Sequence, residues 1–418
     1  MIIIYIFHKF THFFRKIIIL IIIFIIVEIK NLSKKNILEI KLNHYIIKFR
    51  KENLTVYYYE KDLPNIIEYV KLLRSNDYIN NISFNNIIKP KVSFIATVFN
   101  KSKYLNSFIF SIQNQNLKEF ELIIVDDCSS DKSVKIIQNI QKNDKRIKLL
   151  INKKNLGSLY SRYRGAIYTK GEYIIFVDSD DIVLKEGILN SYNYIKNHDL
   201  DIIEFNSVFE RSNFQIEISR RYYKYSNIIY QPILSYIFFY KKNKGSELNT
   251  ALWDKLIKKS VLSKLFKYIG KNYLNKRVII ENDVIILFSL FRISNSFQYI
   301  DELGYYYFFN NNDSITNTRY DPLKANEIID SIFTNLKFLY EKTGNSFLDK
   351  YYFLYKLETG YKRYKPCFKY LNQFKFVNNL LNKFIKSKYI SKINKKLINN
   401  IKKEINNIRL NKTFHLYQ

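Results

Sequence analysis

Between residues 92 and 178 the chain alternates strand-length apolar runs with helical patterns, and this alternation constrains its fold more than any other feature. The runs are VSFIATV (92–98), ELIIVDD (121–127), IKLLI (147–151) and YIIFV (173–177). A helical pattern from Tyr104 to Gln113 follows the first run. After the second, CSSD supplies an N-cap ahead of the helical KSVKIIQNIQ. The third leads into NKKNLGSLYSRYRGAIYTKGE, which reads as a loop and a helix. The runs are apolar throughout and do not alternate with polar residues, so each strand is expected to be buried on both faces. That predicts an α/β fold: a Rossmann-like mixed, mainly parallel sheet flanked by helices.

Polar residues gather where these runs end: Thr97 and Asn100, then Asp126 and Asp127, then Asp178, Asp180 and Asp181. Open α/β sheets bind ligands at the carboxyl ends of their strands. Three carboxylates within four positions repel one another and raise each other's pKa, so a positive partner is expected there. A divalent cation is the simplest candidate.

The chain is strongly basic, with a formal net charge of +31, and rich in Ile, Lys and Asn. With no compact arginine-rich motif or zinc-finger spacing, the excess lysine reads as a solvated surface, and no nucleic-acid partner is expected. Cys128 and Cys367, far apart, imply no disulfide framework. The five histidines form no zinc-like set, so any metal should be held by oxygen ligands, which suits Mg2+ or Mn2+. Residues 1–30 contain an unbroken apolar run, Ile17 to Val27, behind Lys9, Arg15 and Lys16 and with no small-residue cleavage site. It reads as an uncleaved membrane anchor, with a buried or interfacial helix as the alternative, since about 20 residues span a bilayer. Lys and Arg on both sides leave orientation open. A single-pass, membrane-associated protein is expected, at the Golgi or ER of a eukaryote or the inner membrane of a bacterium. Residues 31–89 read as a stem with a small helical segment, and 321–418 as a basic helical extension.

From residue 91 to about 182, "KVSFIATVFNKSKYLNSFIFSIQNQNLKEFELIIVDDCSSD", "NKKNLGSLYSRYRG" and "TKGEYIIFVDSDD" follow one another in the order of a family 2 glycosyltransferase of the GT-A fold, which the chain resembles. The resemblance implies a GT-A domain over 90–320, with a nucleotide-sugar half (90–205) and an acceptor half (206–320). Thr97 would open the nucleotide pocket. Phe99, where the family usually has Tyr, would keep an apolar wall against the base without the hydroxyl. Asp127 matches the carboxylate that reads a uracil edge, with Asp126 as its support or as a helix cap. Gly157 would permit close backbone approach, and Arg162 would pair with the diphosphate; Tyr163 replaces the usual Asn after it. Asp178 and Ser179 would contact the donor. Asp180 would bind a divalent cation, with Asp181 as a second candidate ligand; Asp178 and Asp180 share a face if the chain stays extended.

Catalysis also requires a base for the acceptor hydroxyl. The family's acidic pair opening a helix corresponds to ENDVIILFSLF, where Asn282 splits the acids. Asp283 is the expected base and Glu281 the second choice, unless both only decorate a helix start. LWDKLIKKSVL (252–262) resembles an acceptor-domain segment, which makes Trp253 a candidate sugar platform or a core residue, and Lys255 a candidate phosphate or acceptor contact. The resemblance thus implies a metal-dependent inverting hexosyl- or N-acetylhexosaminyltransferase, moving sugar from a nucleotide sugar, UDP-linked by expectation, to a glycan, lipid or protein hydroxyl. No triphosphate-binding signature follows the first strand, as a nucleotidyltransferase would require. The QxxRW motif of a processive synthase is also missing, because the single Trp follows Leu252. A catalytically degenerate, membrane-attached binding module is the remaining alternative.

Overall fold

The computed structural model describes residues 37–42, 45–50, 53–58, 63–75, 89–211, 215–219, 228–231, 251–308 and 325–342. The apolar run at 17–27, and the extension apart from 325–342, lie outside the described residues. Among the described residues no helix is long and apolar enough to cross a membrane.

The chain divides into two compact units, Met1–Asn65 and Ile66–Gln418. The first contains β1 (Ile37–Leu42), β2 (Tyr45–Arg50) and β3 (Asn53–Tyr58), an antiparallel meander in which Ile37 faces Arg50 and Tyr45 faces Tyr58. The interval read as a stem therefore holds β-structure. ILEIKL, YIIKFR and NLTVYY are rich in β-branched and aromatic residues, and two residues separate successive strands, which suits hairpins. The small helical segment is α1 (Leu63–Arg74), which runs across the division between the units.

In the second unit β4 (Val92–Val98), α2 (Leu105–Gln113), β5 (Phe120–Asp126), α3 (Ser133–Asn143), β6 (Ile147–Ile151), α4 (Ser158–Ile167) and β7 (Tyr173–Asp178) follow the sequence pattern closely. These strands are parallel, in the order β7-β4-β5-β6. The chain then adds β8 (Ile182–Val183), α5 (Gly187–Asn197), β9 (Ile202–Arg211), β10 (Gln215–Ser219), β11 (Ile229–Tyr230), β12 (Lys255–Lys258), α6 (Lys259–Ile269), α7 (Lys271–Leu274), α8 (Asn282–Ile293), β13 (Ser296–Phe308) and α9 (Ala325–Lys342). The sheet continues from β7 through β12, β9 and β13 to β11. β12 is antiparallel to both its neighbours, β7 and β9, which makes the sheet mixed.

Successive strand residues serve opposite cores, as a pleated strand requires. Ile95, Ile174 and Phe176 pack with residues of α6, α8 and α9, whereas Phe94, Ala96 and Ile175 pack with α2, α5 and Trp253. Both faces are thereby covered, which is why the strand runs lack polar alternation. After β4 and β5 the chain steps outward to β6, then returns to the other side of β4 as β7. This reversal makes the carboxyl ends of β4 and β7 the switch point of the sheet, with Thr97 the Cα partner of Asp178.

One candidate site residue belongs to the core instead. The side chain of Lys255 is fully buried, and its ammonium meets Asp254 Oδ1 at 2.7 Å, Glu204 Oε2 at 3.0 Å and the Ala251 carbonyl at 2.9 Å. It cannot reach an acceptor from there. A charge this deep persists only when paired.

Two stability predictions follow from this packing. Lys255→Met should cost about 3–5 kcal/mol in urea unfolding, because it strands two buried carboxylates; an unchanged midpoint would show that the cluster contributes nothing. Gly187 starts α5 so close to β13 that an added Cβ would lie 2.2 Å from the Leu303 carbonyl oxygen and 2.6 Å from Gly304 Cα. Gly187→Ala should therefore cost about 1–3 kcal/mol through a forced backbone shift. Full stability in this variant would refute the close approach.

Candidate active site

Two loops form one wall of the switch point. Asn100 after β4 and Cys128 after β5 both adopt left-handed backbone, with φ of 53° and 67°. Side chains brace these loops to each other. Asn100 N–H donates to Ser129 Oγ (2.9 Å), Ser130 N–H to Asn100 Oδ1 (2.8 Å), and Lys101 N–H to Ser133 Oγ (3.0 Å). Asp131 accepts N–H groups from Ser102 and Ser133, each at 2.9 Å, at the start of α3. Against the cost of burial, those bonds hold its carboxyl down at about 2. Phe99 remains 44% exposed beside this wall, an apolar surface where the sequence placed one.

The two acids at the end of β5 have different roles from those expected. Asp127 is buried, with both oxygens occupied by the chain itself. Oδ1 accepts Asn152 Nδ2 (2.7 Å) and Leu156 N–H (2.8 Å), while Oδ2 accepts Gly157 N–H (2.7 Å). Its observed work is to hold the loop that opens α4, and no base-reading geometry is seen at it. Asp126 Oδ2 accepts Ser129 N–H at 3.0 Å in the loop ahead of α3, which is not a helix cap, and its Oδ1 is buried without a hydrogen-bond partner. Gly157 has a φ of 85°, and an added Cβ would lie 3.3 Å from both N and O of Val278. The close approach it permits is between two segments of the chain. Asn152, one residue past β6, went unnoticed because a lone Asn in so Asn-rich a chain carries no signal.

The acids after β7 also rearrange. The chain does not stay extended: Asp181 N–H donates to the Asp178 carbonyl at 3.2 Å, closing a turn. Ser179 is buried and donates its hydroxyl to the Thr97 carbonyl (2.9 Å), so it ties β7 to β4 and is not presented to a ligand. Asp181 is buried too, accepting Tyr305 O–H and Phe308 N–H at 3.0 Å each, which removes it as a metal ligand. The Tyr305 oxygen also accepts Asp178 N–H at 3.0 Å. Trp253 stacks on Tyr305, with centroids 4.6 Å apart, and on Tyr307 at 5.4 Å. It is 6% exposed, a core residue backing the acidic turn and not a sugar platform. Asp180 points the other way, and Lys101 Nζ donates to its Oδ2 at 2.6 Å.

Arg162, from α4, connects this turn to the acceptor half. One terminal nitrogen donates to Asp178 Oδ1 at 3.1 Å, and the other to Asp283 Oδ1 at 2.5 Å and to Asn282 Oδ1. The guanidinium is buried and committed to these groups, a different role from the diphosphate contact expected of it. Asn282, which splits the acidic pair in the sequence, donates Nδ2 to Ser158 Oγ at 2.7 Å and so docks the start of α8 on the start of α4. Asp283 lies in the first turn of α8. Glu281 occupies the N-cap position of that helix in left-handed backbone (φ 52°), without a side-chain capping bond.

The electrostatics reflect this crowding. Burial pushes Asp178 up to about 6, the charges of Asp283 and Asp180 adding to it and Arg162 opposing. Burial, with Asp180 and Asp178 beside it, pushes Asp181 well above the usual carboxylate range. Burial works against the Arg162 charge, but Asp283 and Asp178 outweigh it and raise its pKa. Among the described residues no three or more His, Cys, Asp or Glu side chains converge as a complete metal cage. A donor set at this turn would draw on the carboxylates of Asp178 and Asp180. That suits a Mg2+- or Mn2+-type ion, which takes one or two protein carboxylates and completes its shell from substrate phosphates.

The profile of glycosyl transferase family 2 matches residues 93–282, an interval that contains Asp127, Arg162, Asp178 and Asp180 and ends one residue before Asp283. A cholesterol galactosyltransferase of Borreliella burgdorferi is 27% identical over 283 residues, 64% of this chain and 75% of its own length. A GalNAc(5)-diNAcBac-PP-undecaprenol beta-1,3-glucosyltransferase of Campylobacter jejuni is 39% identical over 100 residues, 24% of this chain and 32% of that protein. The chain spans half or less of the length of several curated relatives that it matches. The crystal structure of S. aureus TarS 1-349 in complex with UDP-GlcNAc superposes with a TM-score of 0.52 at 16% identity, covering 77% of this chain and 87% of that one, a likeness of fold. On the matched profile and its curated relatives, residues 93–282 are those of a glycosyl transferase family 2 domain, and the fold is of the GT-A type.

Proposed function

We propose that this protein transfers a sugar from a nucleotide sugar, UDP-linked, to an acceptor hydroxyl with inversion, in a single displacement with no covalent intermediate. One observation carries this reading: Asp283, from the acceptor-half helix, and Asp178, at the switch point, share the Arg162 guanidinium. A base and a donor-site acid separated by more than a hundred residues in sequence are thereby held at one place.

The roles follow from the geometry. Phe99 offers its exposed ring to the base of the nucleotide. Asp178 and Asp180 would hold a Mg2+ or Mn2+ ion together with the donor diphosphate. When bound, that ion neutralises the charge that builds on the leaving diphosphate. Asp283 accepts the proton of the acceptor hydroxyl, and its bond to Arg162 orients it for that purpose. For the acceptor we favour a membrane lipid or lipid-linked glycan. Two relatives are named for sterol and undecaprenol substrates, and the apolar run at 17–27 would hold the enzyme beside such molecules.

Asp283→Asn should lower transfer by about 10²- to 10⁴-fold while sparing affinity for UDP with Mn2+, because a base acts on the acceptor proton in the transition state. Steady-state kinetics beside calorimetry would check this. Full turnover in Asp283→Asn with loss in Glu281→Gln would assign the base to Glu281 instead. Asp127→Ala should weaken UDP and inorganic pyrophosphate by equal factors and lower the unfolding midpoint, since it releases the 152–157 loop. A loss confined to UDP would return Asp127 to reading the base.

A further inference from the structure

Lys101 went unnoticed in the sequence, yet its ammonium occupies the position at the acidic turn where a cation is required. Its Nζ lies 2.6 Å from Asp180 Oδ2, with the two side chains 16% and 18% exposed. The backbone behind it is fixed: Asn100 is left-handed and bonded to Ser129 and Ser130, Lys101 N–H is held by Ser133 Oγ, and Ser102 N–H by Asp131. The ammonium, which also lies 5.7 Å from the centroid of the Tyr104 ring, is carried on a four-carbon stem beyond this fixed backbone. Arg162, the other cation at the turn, has its terminal nitrogens on Asp178, Asp283 and Asn282 and is buried. The two cations thus differ in kind, one locked into the fold and the other a strongly hydrated point charge on a flexible stem.

A divalent ion that takes Asp180 must displace this ammonium. The displaced charge then requires an anionic partner, and a diphosphate brought in with the ion supplies one. We propose that Lys101 is an exchange cation, paired with Asp180 before donor binding and transferred to the donor diphosphate as a divalent ion takes the carboxylate, so that metal and nucleotide each strengthen binding of the other. This rests on the donor-site reading above and adds to it a coupling between its two ligands. Such coupling is reciprocal: the factor by which UDP tightens Mn2+ equals the factor by which Mn2+ tightens UDP.

The test is calorimetric titration of the full chain with MnCl2 alone, UDP alone and each in the presence of the other, for the wild type, Lys101→Met and Lys101→Arg. The Met variant keeps the aliphatic stem and loses the charge. In the wild type each ligand should tighten the other by roughly tenfold or more, the scale of one charge-assisted contact. In Lys101→Met, Mn2+ alone should bind roughly tenfold tighter, UDP with Mn2+ more weakly, and the mutual factor should collapse. Lys101→Arg should restore most of the coupling. If Lys101→Met leaves both ligands unchanged, the exchange is refuted and the donor site stands. If UDP binds the wild type equally with and without Mn2+ and is lost in Lys101→Met, the ammonium is a permanent stand-in for the metal, which also refutes the exchange. If the wild type binds no UDP even with Mn2+, the donor-site reading itself fails and the exchange falls with it.

Discussion

The arrangement at the switch point depends on one buried guanidinium. Arg162 contacts Asp178 at the end of β7 and Asp283 at the start of α8, so a single charge compensates acids from both halves of the domain. A buried cation of this kind is tolerated only with partners on every side that would otherwise face apolar groups. It therefore specifies where α8 docks on α4, and Asn282 completes that specification by bonding both Arg162 and Ser158. The planar fork of Arg presents fixed donors to two carboxylates in divergent directions.

The sheet beneath determines how little freedom these groups have. β4 and β7 are covered on both faces; Ser93 near the start of β4 is buried against Glu121, whereas Thr97 and Asp178 lie at the carboxyl ends, on the rim. There the register pairs Thr97 with Asp178, and Ser179 closes the seam by donating to the Thr97 carbonyl. Behind the rim, the Tyr305 hydroxyl spans Asp178 N–H and Asp181, while its ring stacks on Trp253. Asp181 belongs to the framework for this reason, whereas Asp180 is paired with Lys101.

The acidic turn also shows how a basic protein can maintain a local excess of carboxylate. Among the described residues, Arg162 forms ion pairs with Asp178 and Asp283, and Lys101 with Asp180. Charges beyond about 8–10 Å are screened by solvent. Net charge and site charge are separate properties here, and the second is the one that bears on chemistry.

Local pattern by itself determined much of this protein. The apolar runs at 92–98, 121–127, 147–151 and 173–177 marked four parallel strands to within a residue, because β4, β5 and β7 are buried on both faces and β6, at the edge, is partly so. The ligand rim was legible for the same reason, since acids excluded from such strands must collect at their ends. Pairing was not legible. Which acid in Asp126-Asp127 is occupied by loop backbone, whether Asp178 and Asp180 share a face, and whether Lys255 faces a ligand or a buried Glu204 all depend on residues distant in sequence. Arg162 and Asp283 stand 121 positions apart, and Lys101 and Asp180 stand 79 apart. Hydrogen-bond partners are chosen by distance and direction in three dimensions, and only the folded chain supplies both.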